Sequence, residues 1–353
     1  MAEEFSFDDE DINKVNGQTS LIMASENGYT EIVKLLIDAG ADVNAQNEYG
    51  QTALIMASEN GYTSIVKLLI DAGADVNTQN KYVGFAQLLC PTALITASGN
   101  GYTEIVKLLI DAGADVNVNT QNKYVPTALI TASGDGYTEI VKLLIDAGAD
   151  VNAQNGNDET ALIKAFYNNH TEIKMLLLES GADVNIEDRM GNCVLESVVL
   201  SNDIEMIKTY INFGANLNTY CNLILAGPEY HHEHSDTFLT LAISKCNSQI
   251  VKLLIDSGVD PNRVITTIDR YDYKDDKVES YKYDTALKRV ISKGDLELVK
   301  LLLDSGADVN YIDGNGDTPL IVAITSANPE LVAILLDYGA NVNTITFSEI
   351  LII

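Results

Sequence analysis

The string GYTEIVKLLIDAGADVN occurs three times letter for letter, at residues 28–44, 101–117 and 136–152. A fourth copy at 61–77 differs only by Ser64 in place of Glu. A near-verbatim repeat constrains a chain more than any other feature, because every copy must fold alike and pack against its neighbour. Two markers set the register. A Thr-x-Leu type anchor recurs at Leu21, Leu54, Leu94, Leu129, Leu162, Leu195, Leu239, Leu287 and Leu320. A turn glycine recurs at Gly40, Gly73, Gly113, Gly148, Gly181, Gly214, Gly258, Gly306 and Gly339. Both series advance by 33, 40, 35, 33, 33, 44, 48 and 33 residues, so the chain holds nine units and four steps carry insertions.

One unit predicts two helices and a turn. In the second, the Thr52 hydroxyl caps a helix over Leu54, Ile55, Ala57 and Ser58, and Asn60-Gly61 ends it in the left-handed conformation that glycine favours. Thr63 is expected to cap the second helix, whose Ile65, Val66, Leu68, Leu69 and Ile70 form an apolar face of period 3.6. Gly73 stops it, and Asp75-Val76-Asn77 begins an extended excursion. A single pair cannot bury its apolar face, whereas stacked pairs can.

These residues resemble the ankyrin-repeat family. The resemblance rests on the 33-residue step, on Thr52–Ser58 (TALIMAS) and Thr318-Pro319-Leu320, on Gly101–Ile110 (GYTEIVKLLI) and on Gly113–Asn117 (GADVN). The Asn-, Ile- and Asp-rich flavour is similar to that of the ankyrin proteins of giant DNA viruses. The resemblance implies an all-α, right-handed solenoid with turn or hairpin excursions, forming one domain over residues 17–343. Its units start near 17, 50, 90, 125, 158, 191, 235, 283 and 316, with insertions at 81–91, 218–236 and 262–284. An acidic segment, 1–16, precedes it, and 344–353 is expected to cap the open end.

The chain departs from the family pattern in instructive places. The family's Thr-Pro-Leu-His keeps its Pro only at Pro319, and its His position holds Ile55, Ile95 and Ile130. The Gly-His after the first helix becomes Gly-Tyr at Tyr29, Tyr62, Tyr102 and Tyr137, expected to wedge between helices with the hydroxyl at the rim. The sixth unit is the weakest. Cys193 replaces the capping Thr, and Asn202 replaces the glycine, a residue that tolerates the same geometry.

Composition excludes several functions. The net charge is −29, spread as 23 acids and 7 bases over 1–160 and 28 acids and 15 bases over 161–353. A phosphate backbone or an anionic membrane is repelled and a basic partner attracted. Cys90, Cys193, Cys221 and Cys246 form no C-x-x-C pair, which suits a reducing compartment. The N-terminal stretch lacks the apolar run of a secretory signal, and no window approaches the ~18 apolar residues of a membrane span. An intracellular, cytoplasmic monomer is expected, in the host cell for a viral chain. No catalytic or dinucleotide motif is visible, so neither enzyme activity nor a cofactor is expected.

Function is therefore sought where the copies disagree. In the family, turn tips and first helices form a concave protein-binding face. Here that face implies Glu48, Tyr49, Gln51, Glu59, Asn60, Lys81, Tyr82, Asn100, Lys123, Tyr124 and Asp135. Tyrosines among acids suit protein contact. The insertion VGFAQLLC (83–90) offers Phe85 to a partner or to the outer surface. EYHHEHSD holds His231, His232 and His234, which either ligate a transition metal or sit in an ordinary polar loop, the reading preferred here. Residues 262–284 alternate tyrosines with charges, as a two-stranded excursion or a loop would. The resemblance also implies that Asn44, Asn77, Asn117, Asn152 and Asn185 can be hydroxylated, although their expected role is a local turn bond. The main reading is a non-enzymatic protein-interaction scaffold. The alternatives are an adaptor to host ubiquitin machinery, disfavoured because only 344–353 follows the last unit, and a metal-binding protein.

Overall fold

A computed structural model describes residues 19–79, 92–118, 125–191, 193–227, 230–245, 247–273, 276–314 and 316–343. The expected segments 1–16, 81–91 and 344–353 lie outside it. Nine helix pairs follow in order, in two compact units, 1–183 and 184–353. The first unit holds α1 (Ser20–Glu26) and α2 (Thr30–Asp38), α3 (Ala53–Glu59) and α4 (Thr63–Asp71), α5 (Ala93–Gly99) and α6 (Thr103–Asp111), α7 (Ala128–Asp135) and α8 (Thr138–Asp146), α9 (Ala161–Tyr167) and α10 (Thr171–Glu179). The second holds α11 (Val194–Ser201) and α12 (Ile204–Asn212), α13 (Phe238–Ser244) and α14 (Ser248–Asp256), α15 (Ala286–Lys293) and α16 (Leu296–Asp304), α17 (Pro319–Thr325) and α18 (Pro329–Asp337). Within each unit, first helices pack on first helices and second helices on second helices, giving an all-α helix–turn–helix solenoid.

Local chemistry explains each helix. Thr52 Oγ1 accepts the Ile55 N–H at 3.3 Å, and Thr92, Thr127, Thr160 and Thr318 repeat the bond. The cap fails at Cys193, as the sequence predicts, and Asn202 adopts φ +65°. The second helices differ from expectation. Thr63 is the first helical residue, and the position before it, Tyr62, makes no side-chain cap bond. The tyrosine is placed there for packing.

That packing runs across repeats. A Cβ added at Gly28 would lie 2.8 Å from the Tyr62 ring, one at Gly61 2.7 Å from Tyr102, and one at Gly101 2.5 Å from Tyr137. Each aromatic side chain thus fills the space left by the missing side chain of the preceding repeat's cap glycine. Gly136 is met in the same way by His170, whose Nε2 donates to the Gly134 carbonyl at 3.0 Å. Tyr29 has no counterpart before it among the described residues and is 54% exposed.

The turn asparagines form a second inter-repeat ladder, which corrects the expectation of a local bond. Asn117 Nδ2 donates to the Gly148 carbonyl at 3.0 Å, and its Oδ1 accepts the Asp150 N–H at 2.7 Å, both in the next repeat. Asn44, Asn77 and Asn152 do the same in the first unit, and Asn185, Asn262 and Asn310 in the second. The local bond belongs instead to the aspartate two residues earlier, as where Asp115 Oδ1 accepts the Asn117 N–H.

The core recurs at the same positions in successive repeats. Ile65, Val66 and Leu69 are fully buried, as are Ile105, Val106 and Leu109. The buried Ser25, Ser58, Ser98 and Ser133 hydroxyls have no hydrogen-bond partner among the described residues. Later repeats hold Phe166, Val199 and Ile243 at this position. An unsatisfied buried hydroxyl is costly. Replacing Ser58 and Ser98 together by Ala is therefore expected to raise stability, by about 1 kcal/mol per site. The urea midpoint should rise with an unchanged slope.

Two insertions build a sheet where a polar loop was preferred for one and a two-stranded excursion was one option for the other. Strands β1 (Tyr220–Gly227) and β2 (Tyr230–Thr237) form one hairpin, and β3 (Ile265–Tyr273) and β4 (Asp276–Asp284) form another. All four join antiparallel in the order β1-β2-β3-β4. A lone two-stranded hairpin is marginal in water, and four paired strands support one another. Successive repeats hold the hairpin bases side by side, so Ser235 pairs with Thr266 and His232 with Asp269.

Candidate protein-binding surface

The connecting turn at 47–51 is preorganised. Asn47 Oδ1 accepts the N–H groups of Tyr49 at 3.0 Å and Gln51 at 2.9 Å, and its Nδ2 donates to Gln51 Oε1 at 2.9 Å. Gln51 is thereby half-buried in the turn, while Glu48 and Tyr49 stand exposed, Tyr49 by 52%. The same chemistry recurs at Asn155–Glu159, where Lys164 Nζ adds an ion pair to Glu159 at 2.9 Å.

The C-terminal ends of the first helices supply the other candidates. Glu59 and Asp135 are exposed. Asn60 Nδ2 donates to its own helix at Met56 O. Asn100 Nδ2 instead reaches back to Glu59 O at 3.1 Å, bringing neighbouring repeats together. Lys81, Tyr82, Phe85, Lys123 and Tyr124 lie outside the described residues. The backbones of His231, His232 and His234 lie on β2, opposite Ala226, Leu225 and Leu223. Among the residues whose side chains are described, no group of three metal-ligating residues converges.

Sequence reasoning missed the polar interior of the second unit. The position that holds Ile22, Ile55, Ile95, Ile130 and Ile163 in the first unit becomes Glu196, Thr240 and Lys288 in the second, before returning to Ile321 in the last repeat. Lys288 and Asp313 form an ion pair with both residues buried. Arg289 Nη1 donates to Asp236 at 2.8 Å and its Nε to Asp284 at 3.4 Å, tying together the ends of β2 and β4. The signal was a basic run, Lys288-Arg289, on the apolar side of a helix in an acidic chain. An open groove of about 710 Å³ on the second-helix face, between α12 and α14, carries Asp203, Glu205, Lys208 and Lys252. It includes none of the sequence candidates.

Glu196 is 4% exposed, and its Oε2 has no partner among the described residues. Burial, then the charges of Asp188, Asp236 and Glu187, push its pKa up from 4.5. A raised folded-state pKa favours folding at low pH. That contribution is complete below 4.5 and is lost as pH climbs through the folded value. Glu196→Gln should therefore stabilise the chain relative to the wild type by a margin that grows with pH. Urea titrations of both proteins from pH 4 upward test this, and a margin independent of pH would refute it. The nearby Cys193 thiol is pushed up to about 11 by burial, which makes it a poor nucleophile.

No helix among the described residues is long and apolar enough to cross a membrane. No curated protein matches the chain. The family model for ankyrin repeats (three copies) matches residues 2–80, 85–155, 129–221 and 264–346. Those matches span most of the sequence and take in eight of the nine helix pairs, with α13 and α14 falling between them: the chain belongs to the ankyrin-repeat family.

Proposed function

We propose that this chain is a non-enzymatic protein-interaction scaffold that binds a basic protein partner through the turn tips and first-helix ends of residues 19–183. Repeats of this family are generally protein-interaction modules. One observation carries the finer reading. The exposed Glu48 and Tyr49 sit on a turn that Asn47 rigidifies, beside repeats whose remaining positions are nearly invariant. A rigid exposed tyrosine loses little entropy on contact. The surplus of acids in residues 1–160, 23 against 7 bases, favours a basic partner.

Proximity labelling in cells tests the reading, comparing the wild type with a Tyr49→Ala, Tyr82→Ala, Tyr124→Ala variant. Thermal melting should stay unchanged, Tyr49 being exposed on its turn. The labelled set is expected to lose its most enriched proteins, and those proteins should be rich in Lys and Arg. An identical set from both chains sinks the proposal.

A further inference from the structure

The four-stranded sheet has two edges, and the chain treats them differently. β4 carries five charged residues in nine, Asp276, Lys277, Glu279, Lys282 and Asp284. Charges on an edge strand oppose the addition of another strand. β1 reads YCNLILAG, eight residues with no charge and no proline. The sheet ends at β1 among the described residues, and the preceding repeat contributes only an isolated bridge, Glu187 to Cys193. A row of backbone N–H and C=O groups on β1 therefore faces away from β2 without a strand to pair with. Natural proteins protect such an edge unless it is used.

We propose that β1 is a docking edge for an extended segment of a partner protein, which adds as a fifth strand. Backbone hydrogen bonds would supply the affinity, as in other strand-addition complexes. The partner chemistry follows from the surroundings. An uncharged strand suits the uncharged β1. Residues 184–218, the repeat before β1, hold Glu187, Asp188, Glu196, Asp203 and Glu205 against Arg189 and Lys208. The whole chain carries −29. The segment that fits is therefore an alternating, uncharged β-former with Lys or Arg at its ends. A second copy of this chain brings the same charge and is disfavoured. This edge shares no residue with the turn-tip surface of residues 19–183.

The test uses the full chain and a fluorescein-labelled peptide, Lys-Arg-Thr-Val-Thr-Val-Thr-Val-Lys-Arg. A second version is N-methylated at alternate residues, and a third has Glu in place of the basic ends. Neighbouring residues of an edge strand point their N–H groups to opposite sides. One of Ile224→Pro and Leu225→Pro therefore removes only an outward donor, and hydrogen exchange on β2 identifies it as the variant that keeps the hairpin. Saturable binding is expected by fluorescence anisotropy. It should weaken about tenfold or more on N-methylation, with Glu ends and with the outward proline. Tyr49→Ala should leave it unchanged. Exchange protection should appear at 220–227 and not at 276–284. Absence of binding up to about millimolar peptide, equal binding of the N-methylated peptide, or protection confined to other residues overturns the proposal. A concentration-dependent dimer that the outward proline abolishes also overturns it, because it would make the occupant a second copy.

Discussion

Lys288→Ile is expected to destabilise residues 184–353 by about 3–5 kcal/mol, the cost of removing one member of a buried ion pair. Lys288 and Asp313 are each 8% exposed, so water cannot replace the lost ammonium. The sharper expectation concerns the double variant. Lys288 stands 25 residues before Asp313, the separation of Ile22 from Asn47 and of Ile130 from Asn155 in the first unit. In all three turns the residue at the later position receives a backbone N–H from four residues on, namely Gln51, Glu159 and Asp317. The first unit thus solves with Ile and Asn what the eighth repeat solves with Lys and Asp. Lys288→Ile combined with Asp313→Asn should return to within about 1 kcal/mol of the wild type, or exceed it, because apolar replacement of a buried pair is often neutral or stabilising. Urea unfolding of the wild type, both single variants and the double variant closes the cycle. A double variant as unstable as the sum of the singles would show that the two residues act independently.

Gly101→Ala should cost more than Gly113→Ala, although both glycines have positive φ, +77° and +87°. A left-handed backbone costs an alanine about 1–2 kcal/mol at either position. At Gly113 nothing lies within 4 Å of the new methyl group, whereas at Gly101 the Tyr137 ring would lie 2.5 Å away and must move. Displacing a packed aromatic ring adds about 1–2 kcal/mol, as overpacking does elsewhere. If the ring is the cause, Tyr137→Ala should remove the extra cost in the double variant. Thermal or urea unfolding of the wild type, the three single variants and the double variant measures these costs. Equal costs at Gly101 and Gly113 would mean that the tyrosine ladder contributes no inter-repeat packing.

The candidate surface was only partly legible in the sequence. Glu48 and Tyr49 were found because they stand at a connecting turn, where the family resemblance implies a binding face, and the turn exposes them. Gln51 was found for the same reason, yet its amide is held by Asn47. A turn position in the family pattern marks a candidate contact, but it does not say whether the side chain faces a partner or the turn beneath it. The histidine-rich insertion was read as a polar loop because its residues are polar. Its strand conformation depends on β1 and β3, which lie on either side of β2.

By itself the sequence determined the repeat: nine helix pairs, the threonine caps and the left-handed glycines. Each of these depends on residues within a turn or two of one another, and local propensity repeated nine times is a strong signal. Tertiary structure alone decided what joins one repeat to the next. The asparagine amides reach about thirty residues forward, the tyrosines fill the space beside glycines of the previous repeat, and Lys288 meets Asp313 across 25 residues. Two insertions that look unrelated became one sheet because the stack places their bases side by side. Such bonds depend on distances set by stacking, and the order of residues along the chain does not carry those distances.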